Sequence, residues 1–407
     1  MTEVTGRSIV DLWRRVPWWG QALLVFGAAR IVTTGILLVF AAGQHANAWT
    51  GASPGYADFA SMWDGRWYNI VAEVGYPSEL PLTADGHVAE NAWAFMPVYP
   101  AVVRLLMVLT GLPWAPVAVF VSVACGFVSA VLVAKVFRLV LDAGTAMFAV
   151  VLYSVSPLSP ILQVAYAESM HLMLLAGALY LVMRHRYWAA LPVIAVMSFT
   201  RPSGLAFALF LALHVGHRWW TRRRVPFPRR EAVAASVTAV ASGIFGLGWL
   251  LIAWAVTGSL TAYTDTELAW RSSYIGYVHL VPFTPWIQGL DWWAVHGLGL
   301  PSGFWWGFCG VVLLVAAAVA LLFSPQAKRL GVDLRLWVAS YLLYLLAVFF
   351  PQSSTFRLLV PVFPVAGILA QPRSVVYRVS MVALSLAGQV GWVFIAWQVD
   401  GYDWTPP

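Results

Sequence analysis

The sequence predicts an all-α polytopic membrane protein with one large loop outside the bilayer near its start, and three observations carry that prediction. The chain is 61% hydrophobic and only 10% charged, whereas a soluble domain carries about 25% charged residues. Apolar runs of roughly 18–25 residues recur along its length, long enough to span a hydrocarbon core. The charges alternate in sign from loop to loop: most of the 24 lysines and arginines sit in one set of loops and most of the 17 acids in the other. Basic loops stay on the cytoplasmic side. That rule predicts a cytoplasmic N-terminus and an extracytoplasmic C-terminus. The 23 tryptophans and 15 tyrosines suit a chain with many helix ends at headgroup depth.

The same distribution explains the net charge of +7 as a topology signal, with no nucleic-acid partner implied. Cys125 and Cys309 each lie inside an apolar run, which leaves no disulfide framework or thiolate metal site. The basic residues are nearly all arginine, with only Lys135 and Lys328 as lysines. That bias fits a GC-rich bacterial genome, so the expected location is a bacterial inner membrane.

The expected elements form a single membrane domain over 1–407 with about eleven transmembrane helices. A polar, mildly basic segment (Arg7, Arg14, Arg15) precedes the first helix, 20–42, which reads as a retained span and holds Arg30 at mid-membrane depth. A charge there is expensive unless it faces the protein interior. The first outer loop is 43–112, and its apolar, proline-bounded end at 97–112 is too short to span, so it predicts an interfacial helix. Central helices follow over 113–256, at 113–136, 143–157, 166–184, 187–199, 204–214 and 232–256; the basic run RWWTRRRVPFPRR at 218–230 is the strongest cytoplasmic signal. A second outer loop is expected at 257–302. C-terminal helices at 303–323, 336–350, 358–370 and 379–399 occupy 303–399, with an acidic tail from Asp400 onward. No internal repeat is evident.

The first outer loop reads as a site. Asp64 stands between Trp63 and Trp67, partly desolvated, with Arg66 as its nearest opposite charge in sequence; it is the carboxylate best placed to act as a base, and Asp58 is its rival. A solvated loop aspartate or a helix N-cap is the ordinary alternative. Arg201 and Arg357 sit at tight outside turns where topology disfavours positive charge. Guanidinium forks at such positions suit phosphate; alternatively they pair with Glu168 or Asp64 and close the bundle. Glu168 opens a helix, where an acid also has a simple dipole role. Arg104 reads as a snorkelling side chain, His171 as a packed helix residue, and His87 beside Asp85 has no metal-ligand spacing. No Walker loop, GxGxxG or Gly-x-Ser-x-Gly is suitably placed. Nothing visible requires a metal or cofactor.

The pattern Trp63-Asp64, Tyr68, Ile70, Ala72, Glu73, Gly75, Tyr76, then AFMPVYP at 94–100 and Arg104, resembles the first outer loop of PIG-V type mannosyltransferases (GPI mannosyltransferase II-like). Weaker echoes are YAES at 166–169, TRPSG at 200–204 and Phe356-Arg357 with PVFP at 361–364. Departures are Met96 for the usual aromatic, Pro202 and Ser203 for a common polar pair, and Leu358 after the arginine. The resemblance implies the GT-C glycosyltransferase fold and transfer of mannose from a polyprenyl-phosphate donor to a lipid or glycan acceptor on the outer face. On that reading Asp64 is the base of an inverting displacement. Arg201, Arg357 and Arg271 meet the donor phosphate, and Asp58, Trp63, Arg66, Tyr68, Glu73, Tyr76, Tyr99 and Glu168 line the substrate site. A rival reading is a transporter or flippase of a lipid-linked or anionic substrate using Arg30, Glu168 and Arg201. A third is a non-catalytic assembly subunit.

Overall fold

A computed structural model describes residues 11–303, 305–399 and 406–407; Arg7 and most of the acidic tail lie outside the described residues. The architecture is helical, and among the described residues six helices are long and apolar enough, by length and composition, to cross a membrane. They are α1 (Trp18–Ala42), α4 (Trp114–Phe137), α9 (Arg229–Thr257), α11 (Trp305–Phe323), α12 (Gly331–Val348) and α13 (Val375–Trp397). Between them come α2 (Asp64–Glu73), α3 (Val98–Thr110), α5 (Ala143–Val155), α6 (Glu168–Met183), α7 (Tyr187–Ser198), α8 (Gly204–Thr221) and α10 (Ala262–Ala269).

Local sequence sets these boundaries. Pro17, Pro113 and Pro228 stand immediately before α1, α4 and α9, where proline lacks only a donor the helix start would leave orphaned. Gly111 and Gly258 close α3 and α9 with φ of 71° and 73°, a conformation that glycine adopts without a Cβ penalty. Two expectations need correction. The helix expected at 204–214 continues to Thr221, because Trp219 and Arg218 can follow it into an interfacial environment. The helix expected at 358–370 is instead a short helix Thr355–Leu358, a 3₁₀ turn Val360–Val362 and a helix Pro364–Leu369. Pro361 and Pro364 cannot continue an α-helical hydrogen-bond ladder.

Close packing fixes the turn between α7 and α8. A Cβ built on Gly246 of α9 would stand 2.6 Å from the Leu205 amide nitrogen and 2.9 Å from the Gly204 carbonyl carbon. The two backbones therefore meet directly, as small residues permit between membrane helices. Ser242 adds an Oγ–H bond to the Gly204 carbonyl at 2.9 Å. Arg201 leaves this anchored turn.

Arg30 proves to be a packing residue. Its guanidinium donates to the Ser154 and Ser159 carbonyls at 2.6 Å each and to Ser159 Oγ at 3.0 Å, filling acceptors freed where α5 ends and the 3₁₀ turn Ser159–Gln163 begins.

Long-range hydrogen bonds gather the loops at one end of the bundle. Ala165 N donates to Ala60 O at 2.9 Å and Val98 N to Phe199 O at 3.1 Å. Trp63 Nε1 reaches Ala396 O at 2.9 Å, and Trp249 Nε1 reaches Trp93 O at 2.9 Å. The starts of α6 and α8 and the ends of α7, α9 and α13 thus share that end with α2 and α3. The Arg218–Arg230 region lies at the other.

Candidate functional site

Asp64 is the first residue of α2 and follows Trp63, whose φ of 61° and ψ of −121° make it the strained N-cap of that helix. A bulky residue in this region costs on the order of 1–3 kcal/mol, and tertiary contacts hold it there: the indole bonds Ala396 O and its ring lies 5.1 Å from Trp49. The reversal points the Asp64 carboxylate into the bundle.

There it meets charges from three other segments. Arg357 Nη1 donates to Asp64 Oδ2. Arg357 also stands 3.9 Å from Glu168 Oε1, and Arg201 Nη2 lies 3.0 Å from that same oxygen. Arg201 Nη1 donates to Tyr68 Oη at 3.3 Å. The result is an alternating chain, Asp64–Arg357–Glu168–Arg201–Tyr68, largely shielded: the Asp64 and Arg357 side chains retain 12% and 11% of their exposure, Glu168 5%. The arginine beside Asp64 is therefore Arg357, while Arg66 lies elsewhere.

Tyr166, which sequence reasoning did not place in the site, supports the chain from below. Its hydroxyl accepts the Asp64 amide at 3.2 Å, and its ring lies 5.4 Å beneath the Arg357 guanidinium. Burial raises the Tyr166 and Tyr68 hydroxyls above their ordinary range, with Asp64 adding to the effect at Tyr166 and Arg201 opposing it at Tyr68. Both stay neutral and bond as phenols. Burial would lower the two guanidiniums, but Glu168 at Arg201 and Asp64 at Arg357 outweigh it and hold both above their usual values. The chain thus sets two guanidiniums against two carboxyl groups.

Hydrogen bonding is less complete. The Arg201–Glu168 contact is a close ion pair without aligned hydrogen-bond geometry, and both Glu168 oxygens and Arg357 Nε are buried without a hydrogen-bond partner among the described residues. Buried polar atoms are normally paired, so these are points where a ligand's oxygens and hydroxyls could bond.

A second wall comes from α10. Asn91 Nδ2 donates to Thr266 Oγ1 at 2.8 Å, and Trp270 packs edge-on against Trp67 at 5.5 Å. Tyr263 and Glu267, four residues apart, share a face of α10, and Arg271 follows two residues beyond the helix end. Burial pushes Glu267 upward, against the Tyr263 hydroxyl and the Arg271 and Arg201 charges. Burial lowers Arg271, with Glu267 opposing. Glu267 carried no sequence signal beyond its spacing from Arg271.

The remaining candidates separate. Asp58, Arg66 and Glu73 line an open groove on the other side of α2. Tyr99 is buried, its hydroxyl bonded to Ala118 O and Ser122 Oγ at 2.9 Å each. Tyr76 donates to Phe95 O at 2.7 Å and stacks on Trp93. With Trp63, these aromatics hold the loop together. His171 is packed against Ser203 Oγ at 2.8 Å. Among the described residues no three His, Cys, Asp or Glu side chains gather as a metal site.

No protein-family model and no curated protein sequence matches the chain. Among solved structures it is similar to the crystal structure of the Archaeoglobus fulgidus oligosaccharyltransferase in the apo form, at 12% identity and a TM-score of 0.48. The match covers 93% of this chain and 56% of that one, so this chain spans little more than half the length of the protein it resembles.

Proposed function

We propose that the protein is a membrane-embedded glycosyltransferase of GT-C type, moving a mannose from a polyprenyl-phosphate donor to a lipid or glycan acceptor at the outer face of a bacterial inner membrane. The observation that carries this reading is the alternating chain of Asp64, Arg357, Glu168 and Arg201, assembled from four segments at one end of a bundle of apolar helices. A donor with a lipid tail needs its reacting head at such a boundary.

The chemistry is a single inverting displacement. The acceptor oxygen attacks the anomeric carbon, its proton passes to the Asp64 carboxylate, and the bond from that carbon to the phosphate oxygen breaks. The electron pair leaves with polyprenyl phosphate, whose growing charge the guanidiniums stabilise. Phosphate departs without a general acid.

Arg357 couples the two halves. Its Nε is without a protein partner while Nη1 holds Asp64. A seated phosphate draws the guanidinium toward itself and weakens its hold on Asp64, so the base is released when a donor is present. Arg201, braced by Glu168 and Tyr68, and Arg271 complete the phosphate contacts. The transporter reading loses its intramembrane cation, since Arg30 is bonded to backbone carbonyls.

The test is product formation. Purified protein is incubated with labelled polyprenyl-phosphate sugars and a total lipid extract, and products are identified. Label should move from polyprenyl-phosphate mannose into a second lipid with release of polyprenyl phosphate. No transfer from any such donor, in protein shown to be folded, contradicts the proposal.

A further inference from the structure

On the 3.6-residue period of α2, Arg66, Asn69 and Glu73 lie roughly opposite Asp64 and Tyr68. They border a groove of about 650 Å³, with Trp49 and Asp58 from the loop before the helix and Trp114 from the start of α4. That volume falls within the about 300–1,000 Å³ typical of small-molecule sites. The Arg357 cluster does not contribute to it.

Its lining has two features that packing alone does not explain. Three polar atoms of the lining residues, Trp49 Nε1, Asn69 Oδ1 and Trp114 Nε1, lie buried behind its surface without a hydrogen-bond partner among the described residues. Two indoles, an amide, two carboxylates and a guanidinium also converge on one concavity, with Arg66 over the Trp49 ring at 5.6 Å. We infer that this groove is a saccharide-binding site, taking an uncharged hexose unit between Trp49, Trp114 and the Asp58–Glu73 carboxylates.

The chemistry selects that ligand class. A pyranose has an apolar C–H face that can lie on an indole. Its hydroxyls donate to carboxylates and accept from guanidinium N–H groups, matching Asp58, Glu73 and Arg66 in the lining. A hydrocarbon tail would leave those polar atoms unsatisfied. Asp58 and Glu73 against Arg66 give the lining a formal excess of negative charge, which disfavours a phosphate. Only the further step, that this hexose belongs to the acceptor of the transfer reaction, rests on the function proposed above.

The experiment uses the full chain in phospholipid nanodiscs, free of sugar-headed detergent, with methyl α-mannopyranoside and methyl α-glucopyranoside as probes. Binding is read by saturation-transfer NMR and titration. At least one hexoside should bind. The Asp58→Asn, Glu73→Gln double variant should weaken it about ten-fold or more, as expected for lost hydrogen bonds to charged acceptors. Trp114→Phe, which removes only an N–H and part of a ring, should weaken it about three-fold or more. Circular dichroism and thermal unfolding verify that each variant is folded, and Asp64→Asn should bind as the parent does. The inference is overturned if neither hexoside binds, if the folded variants bind as tightly as the parent, or if phosphate or choline occupies the groove in place of sugar. Hexoside binding without transfer of label would instead remove the transferase reading and leave the groove's assignment intact. Transfer without hexoside binding would do the reverse.

Discussion

Two charged networks lie at opposite ends of the bundle, and they differ in how completely their bonds are made. At the basic end, Glu231 Oε1 gathers His185 Nδ1 at 2.9 Å, Arg218 Nη2 at 2.7 Å and the Tyr187 hydroxyl at 3.3 Å. His214 is held between Tyr187 Oη at 2.9 Å and Asp333 Oδ1 at 2.7 Å. The network joins α7, α8, α9 and α12; Glu231 accepts hydrogen bonds from Arg218 and Tyr187, and Arg218 Nε is its one buried atom without a partner among the described residues. At the other end, Glu168 has two arginines within 4 Å of one oxygen, yet neither of its oxygens accepts a well-aligned hydrogen bond. Both networks neutralise buried charge. A satisfied polar network rigidifies, whereas buried polar atoms left unpaired call for a further partner. Charge alone would not have told the two apart.

Substitutions can break this contrast. Beyond the base itself, the largest effect is expected for Arg357→Lys, which keeps the charge but loses the guanidinium fork that holds Asp64 and is proposed to meet the donor phosphate. Turnover should fall about 10²-fold, within the range for losing one transition-state donor, while Arg373→Lys at the basic end leaves it unchanged. Tyr166→Phe removes the acceptor for the Asp64 amide, and a loss of about 1 kcal/mol in positioning corresponds to roughly five-fold in rate. Steady-state assays of kcat and KM distinguish it from a binding defect, because kcat should carry the loss.

Glu231→Gln should do the opposite. It leaves Arg218 without its carboxylate and lowers stability by about 1–3 kcal/mol, read as a lower thermal midpoint, with kcat per folded molecule preserved. The smallest effect belongs to Glu267→Gln. Burial raises the folded-state pKa of Glu267, so ionising it opposes folding above that pKa, and the penalty disappears below the unfolded value of about 4.3. The variant should therefore have a higher thermal midpoint than the parent at pH 7, with the gain vanishing near pH 4.

Of the two networks, only the members of the acidic-end one were legible in the sequence. Arg201 and Arg357 stood out because topology disfavours positive charge on the acidic side, Asp64 because it lies between Trp63 and Trp67, and Glu168 because it opens a helix. Their pairing was open in the sequence as one of two readings, and the structure adopts it. What stayed hidden depended on direction. Treating 43–96 as loop gave Asp64 and Arg66 one environment, whereas α2 begins at Asp64 and its period turns Arg66, Asn69 and Glu73 to the other side. Tyr166 entered the sequence reading only within the YAES echo at 166–169 and not as a site residue, because an aromatic at a membrane boundary has a default explanation as an interfacial anchor. Glu267 was one acid among several in a loop until α10 aligned it with Tyr263. The interrupted segment from Thr355 to Leu369 was foreshadowed by Pro361 and Pro364, but its hydropathy alone read as one helix.

The central claim is that the Asp64 carboxylate takes the acceptor proton in sugar transfer. It is tested most directly by comparing Asp64→Asn with the parent in proteoliposomes supplied with labelled polyprenyl-phosphate mannose and acceptor lipid. The account predicts a folded, inserted variant whose release of polyprenyl phosphate falls by about 10²–10⁴-fold, the span of general-base catalysis. Release at the parent's rate would contradict it.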